Sequence, residues 1–408
     1  MSDWTEKPLG TLCSIKTGKK DVNEGSPNGA YPFFTCSRDV HASDSYSFDT
    51  DAILIAGNGA VGDTKLYRGK FEAYQRTYVL DGFKEDLDFI FYVLKGSLSE
   101  ALSKVVSGST MPYIRKGDLE RFPIPLPPLP EQKKIAHILS TVQRAIEAQE
   151  RIIQTTTEMK KALMHKLFTE GLPRRSLGEG GPPRHEPQKQ TEIGPVPESW
   201  EVVPLGKYVR VLNGYAFKSA DYVRDGVRLI RISNVSTGFL IDKDDKYLPT
   251  SYVKERSAYT LNAGDLILSL TRPIIKEGMK YCFIEEHHLP ALLNQRVGRF
   301  EIINPRLRKD YLFQIIFSPY FIEPLKYMAE GSNQPNVSPT RLEAFQIPIP
   351  TDMEEQEQIA KLLTGLNRKM ELAKQKVSQL QDLFRTLLHE LMTAKTRVHD
   401  VKLRTQDA

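Results

Sequence analysis

The chain has 408 residues, which is too long for one ordinary domain and enough for two or three domains with separate cores. Its composition, 40% apolar and 26% charged residues, is ordinary for soluble globular protein, and the mild net charge of +5 permits a nucleic-acid partner without requiring one. Three scattered cysteines argue against a disulfide frame or zinc site and indicate a reducing cytoplasm; no signal peptide and no apolar run near 18 residues is found.

Residues 1–127 predict a first globular domain of mixed α and β structure. The apolar runs 52–56 and 77–80 are typical of strands, and Gly, Asn and Asp turns separate them. Residues 86–106 have the apolar spacing of a helix.

Residues 57–62 of this domain, GNGAVG, match the dinucleotide fingerprint GxGxxG. The fingerprint requires a helix that starts at the glycines, whereas the following residues 63–69 look like a strand and turn. Asp63 also stands where a P-loop needs Lys. We expect a Gly-rich loop, whose backbone N–H groups can still approach a phosphate closely.

Residues 128–171 predict a first long helix, preceded by a Pro-rich run and ended by Gly171. Residues 351–396 predict a second one, with Asp352 and Glu355 at capping-box spacing. The second helix has an apolar seam in alternating steps of four and three: Ile359, Leu363, Leu366, Met370, Ala373, Val377, Leu380, Phe384, Leu387 and Leu391. The same seam, with three polar members, recurs 224 residues earlier, from Ile135 to Leu167. Each helix therefore needs a partner helix, and the nearest is the other copy.

Between the two helices we expect a linker at residues 172–198, rich in Pro, Gly and charge, and a second domain at 199–350. Strands are expected at 227–232, 265–270 and 298–303, and a helix within 309–329 that Pro319 and Pro324 bend or break. Residues 397–408 are expected to form a C-terminal tail.

The chain is one unit of about 200 residues written twice. Trp4, Pro8, Leu9, Gly10 and Gly18 recur as Trp200, Pro204, Leu205, Gly206 and Gly214. Gln75-Arg76 recurs as Gln295-Arg296. Each unit is a globular part followed by a long helix, so the predicted fold class is α+β, with two tandem mixed domains, an antiparallel two-helix coiled coil and a pseudo-twofold repeat.

Catalytic and metal motifs are not found. His287-His288 has no third ligand at metal spacing and is expected to be a surface pair, and Asp242, Asp244 and Asp245 lack the Gly and distant Glu of a calcium loop. There is no GxSxG, HExxH or amino-methyltransferase Pro-Pro-Tyr motif. We therefore expect a non-catalytic component with no metal or cofactor of its own.

Two related globular domains on a two-helix spacer suit DNA, because each domain can contact a short site while the spacer fixes the gap. Arg is expected on guanine, Asn or Gln on adenine, and Lys mostly on phosphate. In the first domain the candidates are Lys19, Lys20, Asn58, Lys65, Gln75, Arg76, Ser109, Thr110, Tyr113, Arg115 and Lys116. In the second they are Lys218, Arg231, Asn234, Arg272, Lys276, Asn294, Gln295, Arg296, Asn333, Gln334 and Asn336. Each has the alternative of a solvated surface residue or an internal partner of a carboxylate.

The chain resembles, over essentially its whole length, the specificity (S) subunit of Type I restriction-modification enzymes. The motifs that carry the resemblance are Trp-x3-Pro-Leu-Gly at 4–10 and 200–206, Ile-Pro-x-Pro at 124–127 and 347–350, Glu-Gln-x2-Ile-Ala-x2-Leu at 131–139 and 355–363, and Ile-Gly-Pro-Val-Pro-Glu-Ser-Trp at 193–200. Together they are specific, although each alone is weak.

The resemblance implies that each target-recognition domain binds one half of a bipartite asymmetric DNA site with an unspecified spacer. It also implies two modification subunits that carry an S-adenosylmethionine-dependent adenine methyltransferase, and restriction subunits that carry an ATP- and Mg-dependent motor and a nuclease. Ile138, Ile152, Met159, Met164 and Phe168 lie outside the helix seam. They are expected to contact the modification subunit or, equally, this chain's own globular domains. Two alternatives stay open: a self-sufficient DNA enzyme, and a coiled-coil scaffold that binds protein without DNA specificity.

Overall fold

A computed structural model describes residues 4–105, 113–173, 184–276, 278–329 and 335–398, with the backbone alone at 99–105 and 329. The chain divides into two compact units. Unit 1 comprises Met1–Ile153 and Leu372–Ala408, and unit 2 comprises Gln154–Glu371. Each unit therefore holds one globular domain and a part of both long helices.

The helices and strands follow in chain order. The first globular domain and the first long helix contain β1 (Thr5–Pro8), β2 (Ser14–Thr17), β3 (Tyr31–Phe34), β4 (His41–Ser43), β5 (Phe48–Ala56), β6 (Thr64–Ala73), β7 (Thr77–Asp81), α1 (Leu87–Val105), α2 (Lys116–Glu120), β8 (Pro123–Leu126) and α3 (Leu129–Glu170). The remainder contains β9 (Gln188–Thr191), β10 (Gly194–Pro197), β11 (Glu201–Pro204), β12 (Val209–Asn213), β13 (Val227–Ile230), β14 (Lys246–Leu248), α4 (Tyr252–Glu255), β15 (Leu266–Ser269), β16 (Ile274–Ile275), β17 (Gly278–Met279), β18 (Tyr281–Phe283), β19 (Ala291–Leu293), β20 (Val297–Ile302), α5 (Lys309–Ile316), α6 (Pro319–Ala329), α7 (Pro339–Glu343), β21 (Gln346–Ile349) and α8 (Met353–Met392).

Unit 1 is built on a six-stranded sheet in the order β2-β7-β5-β6-β3-β4. The strands β5 and β7 supply buried Ile53, Ile55 and Leu80, and α1 covers them with Phe89 and Ile90. The strand β5 ends in five consecutive buried residues, which is the pattern of a strand covered on both faces. The sheet is antiparallel except where β3 and β6 run parallel.

Unit 2 has a four-stranded antiparallel sheet, β12-β20-β15-β18, and a three-stranded one, β14-β13-β19. Its main core joins the four-stranded sheet to α5 and α6 around Tyr311, Phe321 and Leu325. The single helix expected within 309–329 is two helices, because the chain breaks at Phe317-Ser318 before Pro319, whereas Pro324 is accommodated inside α6.

The internal repeat extends to the edges of both domains. In unit 1, β1 pairs antiparallel with β8, and in unit 2, β11 pairs antiparallel with β21. Leu9 N donates to Phe122 O at 2.8 Å, and Leu205 N donates to Phe345 O at the same distance. The recurring Trp-x3-Pro-Leu-Gly and Ile-Pro-x-Pro motifs are therefore the two strands of one small ribbon that closes each domain.

The two long helices pair antiparallel within each unit. In unit 1, Ile135 and Leu139 near the start of α3 share a core with Phe384 and Leu391 near the end of α8. In unit 2, Leu167 at the end of α3 shares a core with Ile359 and Leu363 at the start of α8. All ten seam positions of each helix are buried or half-buried. The predicted fold class, two mixed α/β domains with an antiparallel helix pair, is confirmed.

The Glu-Gln pair at the start of each long helix ties that helix to its own domain. Gln132 Nε2 donates to Pro127 O at 2.9 Å, and Gln356 Nε2 donates to Pro350 O at 2.9 Å. Glu355 accepts hydrogen bonds from Trp200 Nε1 at 3.2 Å and from Leu172 N at 2.9 Å. Asp352 caps α8 through the N–H of Glu354, so the capping-box spacing also marks a tertiary contact of Glu355.

Two further details differ from the expectations. Residues 188–197 of the predicted linker form the β9–β10 hairpin, with Val196 fully buried. His288 is buried rather than on the surface, and its Nδ1 accepts from Glu285 N at 2.9 Å.

Within the described ranges, no group of His, Cys, Asp and Glu could hold a metal ion. None of the helices in these ranges combines the length and the apolar character that a membrane span requires.

Candidate nucleic-acid interface

A tight turn carries the repeated Gln-Arg pair in both units. Thr77 N donates to Tyr74 O at 2.8 Å, and Val297 N donates to Asn294 O at 2.9 Å. An i to i+3 hydrogen bond of this kind defines a β-turn, and the Gln and Arg occupy its two central positions. The side chains of Gln75 and Arg76, and of Gln295 and Arg296, are all exposed.

A recurring glycine lies directly against this turn. Gly18 N donates to Thr77 O at 3.3 Å, and Gly214 N donates to Val297 O at 3.2 Å. A Cβ atom at Gly18 would lie 1.8 Å from the carbonyl oxygen of Ala73, and one at Gly214 would lie 2.0 Å from that of Leu293. Only glycine fits such a close backbone approach, which explains why it recurs.

Two more segments meet the turn through backbone hydrogen bonds that match between the units. In unit 1, Gly57 N donates to Arg76 O at 3.0 Å, and Ile114 N donates to Gly57 O at 2.9 Å. In unit 2, Leu270 N donates to Arg296 O at 2.9 Å, and Val337 N donates to Leu270 O at 2.8 Å. Each unit therefore brings together the Gln-Arg turn, the loop after one strand of its larger sheet and the segment before a short helix. We name this arrangement the loop site of each unit.

The Gly-rich segment of unit 1 is a loop, as expected, and not the start of a helix. It connects β5 to β6, and Gly59 and Gly62 have φ values of 60° and 79°. A Cβ atom at Gly57 would lie 2.4 Å from Arg76 O. The glycines therefore allow the loop to pack against the Gln-Arg turn, and the dinucleotide-binding alternative lacks its helix.

Beneath the loop site of unit 1 lies Tyr78, whose hydroxyl donates to Ile114 O at 2.9 Å. Burial raises the pKa of Tyr78, and Asp118 and Cys36 add smaller effects in the same direction. The hydroxyl therefore stays protonated at neutral pH and keeps its role as a hydrogen-bond donor that supports the segment before α2.

In unit 1 the loop site brings together Asn58, Gln75, Arg76, Tyr113 and Arg115. Arg115 donates from Nη2 to the Tyr113 hydroxyl at 3.0 Å, and the two side chains stack with 5.6 Å from the guanidinium carbon to the ring centroid. A paired Arg and Tyr on an exposed segment offer both hydrogen-bond donors and an aromatic face to a base or phosphate.

The lysines expected in unit 1 divide into two groups. Lys19 and Lys116 are exposed, and Lys116 lies 3.5 Å from Glu120. Lys20 donates to Ser43 and Ser45, and Lys65 is paired with Asp63 and the backbone oxygen of Ser37. Because Lys20 and Lys65 are half-buried and have internal partners, they support the loops rather than form the exposed surface.

In unit 2 the loop site brings together Arg272, Asn294, Gln295, Arg296 and Asn336. Arg272 has a φ of 48°, an uncommon conformation for a residue other than glycine, and its N–H donates to Pro335 O at 2.8 Å. Lys218 and Lys276 are also exposed.

Two residues expected at the interface of unit 2 have internal roles. Asn234 is fully buried, and its Nδ2 donates to Asp245 at 2.9 Å and to Ile241 O at 3.2 Å. Arg231 is half-buried and pairs with Asp244 at 3.1 Å. Their polar atoms hold the loop between β13 and β14, so neither side chain contributes to the exposed surface of the loop site. Ser109, Thr110, Asn333 and Gln334 lie outside the described residues.

The residues expected to contact a partner on the long helices also divide. Met164 and Phe168 are buried in the core of unit 2, where Phe168 contacts Trp200 and Tyr320. Of the two expectations, contact with the modification subunit or with this chain's own globular domains, their burial agrees with the second. Ile152 and Met159 are exposed by 36% and 53%, whereas Ile138 is half-buried against the core of unit 1.

Three exposed leucines of α8 were missed from the sequence: Leu362, Leu372 and Leu383. Each of them lies one residue before a seam position of α8. Leu383 is offset by 224 residues from Met159, so the repeat itself was a signal that could have found it.

Comparisons with known proteins agree with this architecture. The profile of the family described as Type I restriction modification DNA specificity domain matches residues 1–157 and 197–382. The chain is 30% identical to the Type I restriction enzyme MjaVIII specificity subunit of Methanocaldococcus jannaschii, over 98% of this chain and 94% of that protein. It is 38% identical to the Type I restriction enzyme EcoDI specificity subunit of Escherichia coli, over 41% of this chain and 37% of that one.

Among solved structures, a Type I restriction-modification S subunit from M. genitalium has the same fold, with a TM-score of 0.66, 18% identity and 96% of each chain covered. The two matched regions, one over each globular domain and the adjoining helix, define the chain as a DNA specificity component. The chain belongs to the Type I restriction-modification specificity subunit family, whose members provide the DNA sequence recognition of these systems.

Proposed function

We propose that each unit binds one half of a bipartite, asymmetric DNA site, and that the antiparallel helix pair sets the unspecified spacer between the halves. The observation that carries the proposal is the loop site present once in each unit, with matching backbone hydrogen bonds and different side chains. Two sites of equal geometry and unequal chemistry suit two half-sites of different sequence.

Base recognition is assigned to the residues that differ between the two loop sites. In unit 1 these are Asn58, Tyr113 and Arg115, and in unit 2 they are Arg272 and Asn336. Arg side chains bind guanine through two hydrogen bonds, and Asn side chains bind adenine in the same manner. The exposed Lys19, Lys116, Lys218 and Lys276 are assigned to phosphate groups, where a flexible point charge suffices.

The modification subunits are proposed to dock on the exposed apolar side chains of the helices. Ile152 and Met159 lie on α3 seven residues apart, so they share one face, and Leu372 and Leu383 lie eleven residues apart on α8. Exposed leucine and methionine beside a filled seam offer apolar area to a further helix. The S-adenosylmethionine site is assigned to the modification subunits, and the ATP and Mg sites to the restriction subunits.

The assignment of half-sites is tested by mapping methylated sites with variants of one unit at a time. The chain is co-expressed with its modification subunits, and N6-methyladenine is mapped for the wild type, Arg115→Ala and Arg272→Ala. We expect Arg115→Ala to relax one half of the motif and Arg272→Ala to relax the other, each at a discrimination cost of about 1–3 kcal/mol. Variants that alter both halves alike, or neither half, would contradict the assignment.

The role of the helix pair as a spacer is tested by inserting one heptad into both helices at equivalent seam positions. Seven residues add about 10 Å at 1.5 Å per residue, which is about three base pairs at 3.4 Å each. We expect the mapped motif to keep both halves and to gain about three unspecified base pairs. An unchanged spacer together with altered half-sites would overturn the proposal.

Docking is tested by Ile152→Asp, which places a charge on an exposed apolar position. We expect co-purification with the modification subunit to weaken while the thermal melting of the isolated chain stays unchanged. Arg385→Ala, at an exposed position of α8, is the control for a general surface change. Co-purification equal to that of the wild type would refute docking on this face.

A further inference from the structure

The Gln-Arg pair is repeated in the loop sites although its surroundings are not. By the backbone hydrogen bonds, Ile114 corresponds to Val337 and Gly57 to Leu270. The flanking positions then pair Tyr113 with Asn336, Arg115 with Ser338, and Asn58 with Thr271, and none of these pairs is identical. Gln75-Arg76 and Gln295-Arg296 are identical in residue type and in position within the turn.

Packing does not explain this identity. Over the described part of the chain, the guanidinium groups of Arg76 and Arg296 have neither a hydrogen bond nor an ion pair, and both residues are exposed. Gln75 donates to Asp21 at 3.2 Å, a contact that has no counterpart at Gln295 among the described residues. The central positions of a common β-turn accept most residue types, so the backbone also does not demand a Gln-Arg pair.

We propose that the two Gln-Arg turns form a duplicated phosphate clamp, one per unit, that contacts the DNA backbone beside each half-site. The proposal rests on the proposed function, because two units that bind different base sequences still share one ligand chemistry, the sugar-phosphate backbone. A guanidinium can hold a phosphate through two parallel hydrogen bonds, and the neighbouring Gln amide supplies a further donor.

The turn is placed for this task by the backbone that surrounds it. Arg76 O accepts from Gly57 N, and Gln75 N donates to Lys20 O at 3.0 Å. In unit 2, Gln295 N donates to Tyr215 O at 3.0 Å. The turn is thus fixed on its Arg side to the loop that carries base-contacting candidates, and on its Gln side to the loop that carries Lys19 or Lys218. A phosphate held by the Arg therefore sets the register of the neighbouring side chains on the bases.

The test measures how DNA affinity depends on salt. The complex of the chain with its modification subunits is titrated against a mixed-sequence duplex and a duplex that carries the mapped motif, across a series of salt concentrations, by fluorescence anisotropy. The slope of log K against log salt is negative, and each phosphate contact contributes about 0.9 to its magnitude. We expect Arg76→Ala and Arg296→Ala each to reduce the magnitude of the slope by about 0.9 on both duplexes, and the double variant to reduce it by about 1.8. We expect the methylated motif to stay unchanged in these variants.

Lysine variants separate a phosphate contact from base recognition. Arg76→Lys and Arg296→Lys keep a positive charge but lose the rigid fork of donors. A phosphate clamp predicts that the Lys variants keep nearly the wild-type slope and the wild-type motif. Relaxation of the motif by Arg76→Lys would show base recognition and would overturn the clamp.

The outcomes also distinguish the clamp from the proposed function. If the wild-type complex prefers the motif duplex and the Ala variants keep the wild-type salt slope, the clamp is refuted and the proposed function is intact. If the wild-type complex binds both duplexes equally and the variants have slopes of smaller magnitude, the proposed function is refuted and the clamp is supported. Failure of the wild-type complex to bind either duplex would refute both.

Discussion

Gln356 tests whether the Glu-Gln pair at the start of each long helix is structural. Its side chain is fully buried and makes three hydrogen bonds of 2.9 Å: from Nε2 to Pro350 O and Arg306 O, and from Arg308 N to Oε1. The contacts join α8 to the strand before it and to the segment before α5. Gln132 makes three corresponding hydrogen bonds in unit 1: it donates to Pro127 O and to the Glu85 carboxylate, and it accepts from Asp86 N.

The variant Gln356→Ala removes all three bonds and leaves two carbonyls and one N–H without their partner. A buried polar group that loses its partner costs about 1–3 kcal/mol, and the two groups near Arg306 and Arg308 are only partly buried. We therefore expect a loss of about 3 kcal/mol in the free energy of unfolding. At about 2–4 °C per kcal/mol for 150–250 residues, the melting temperature of unit 2 should fall by about 6–12 °C.

The measurement is thermal unfolding followed by circular dichroism, with Gln358→Ala as the matched control. Gln358 is exposed on the same helix, and its one side-chain bond is to Glu354 at 3.1 Å, so its loss should cost only a few tenths of a kcal/mol. Equal melting of the Gln356 and Gln358 variants would refute the structural role and would suggest instead that the motif repeats for partner binding.

Three further outcomes follow from the structure. Phe168→Ala should cost about 3–5 kcal/mol in equilibrium unfolding, because the ring fills the core beside Trp200 and Tyr311, whereas a change near zero would return Phe168 to the partner surface. Arg397→Ala should lower the free energy of unfolding by about 2–3 kcal/mol, because it removes two hydrogen bonds, of 2.8 and 3.0 Å, to the buried carboxylate of Glu131. Lys395→Ala is the control, and equal melting temperatures of the two variants would contradict this expectation. Burial raises the pKa of Cys13 to about 12 and that of Cys282 to about 11, so both thiols should resist a thiol reagent at pH 8 until the protein unfolds, and rapid native labelling of either would be inconsistent with the fold. As the pH rises, the thiols lose their protons in the unfolded chain before they do so in the folded one. The contribution of the two buried thiols to the free energy of unfolding is therefore complete below about pH 9 and falls as the pH rises towards 11–12.

The sequence predicted the helices and the repeat well, for physical reasons. The seam of α8 is apolar at ten positions in steps of four and three, and the only structure that buries such a stripe is a paired helix. Because the unit is repeated, the other copy of the helix was the expected partner. The recurrence of Gly18 at Gly214 is also visible in the sequence. Its cause is visible only in the structure: a Cβ atom added at either glycine would lie within 2 Å of a carbonyl oxygen.

The loop sites were predicted only in part, because exposure and pairing depend on contacts between distant segments. Asn234 and Arg272 look equally suitable in sequence, but Asn234 is buried against Asp245 and Arg272 is exposed. Phe168 and Ile152 likewise both lie outside the seam, and the globular domain covers only Phe168. The repeat is also imperfect: Glu355 accepts from Trp200, whereas the corresponding Glu131 pairs with Arg397.

The most direct test of the account is a genome-wide map of N6-methyladenine in the source strain, with and without the gene for this chain. The account predicts that one bipartite, asymmetric motif with a fixed spacer disappears when the gene is removed and returns when it is restored. Persistence of every methylated motif, with the modification subunit still expressed, would contradict the assignment of sequence recognition to this chain.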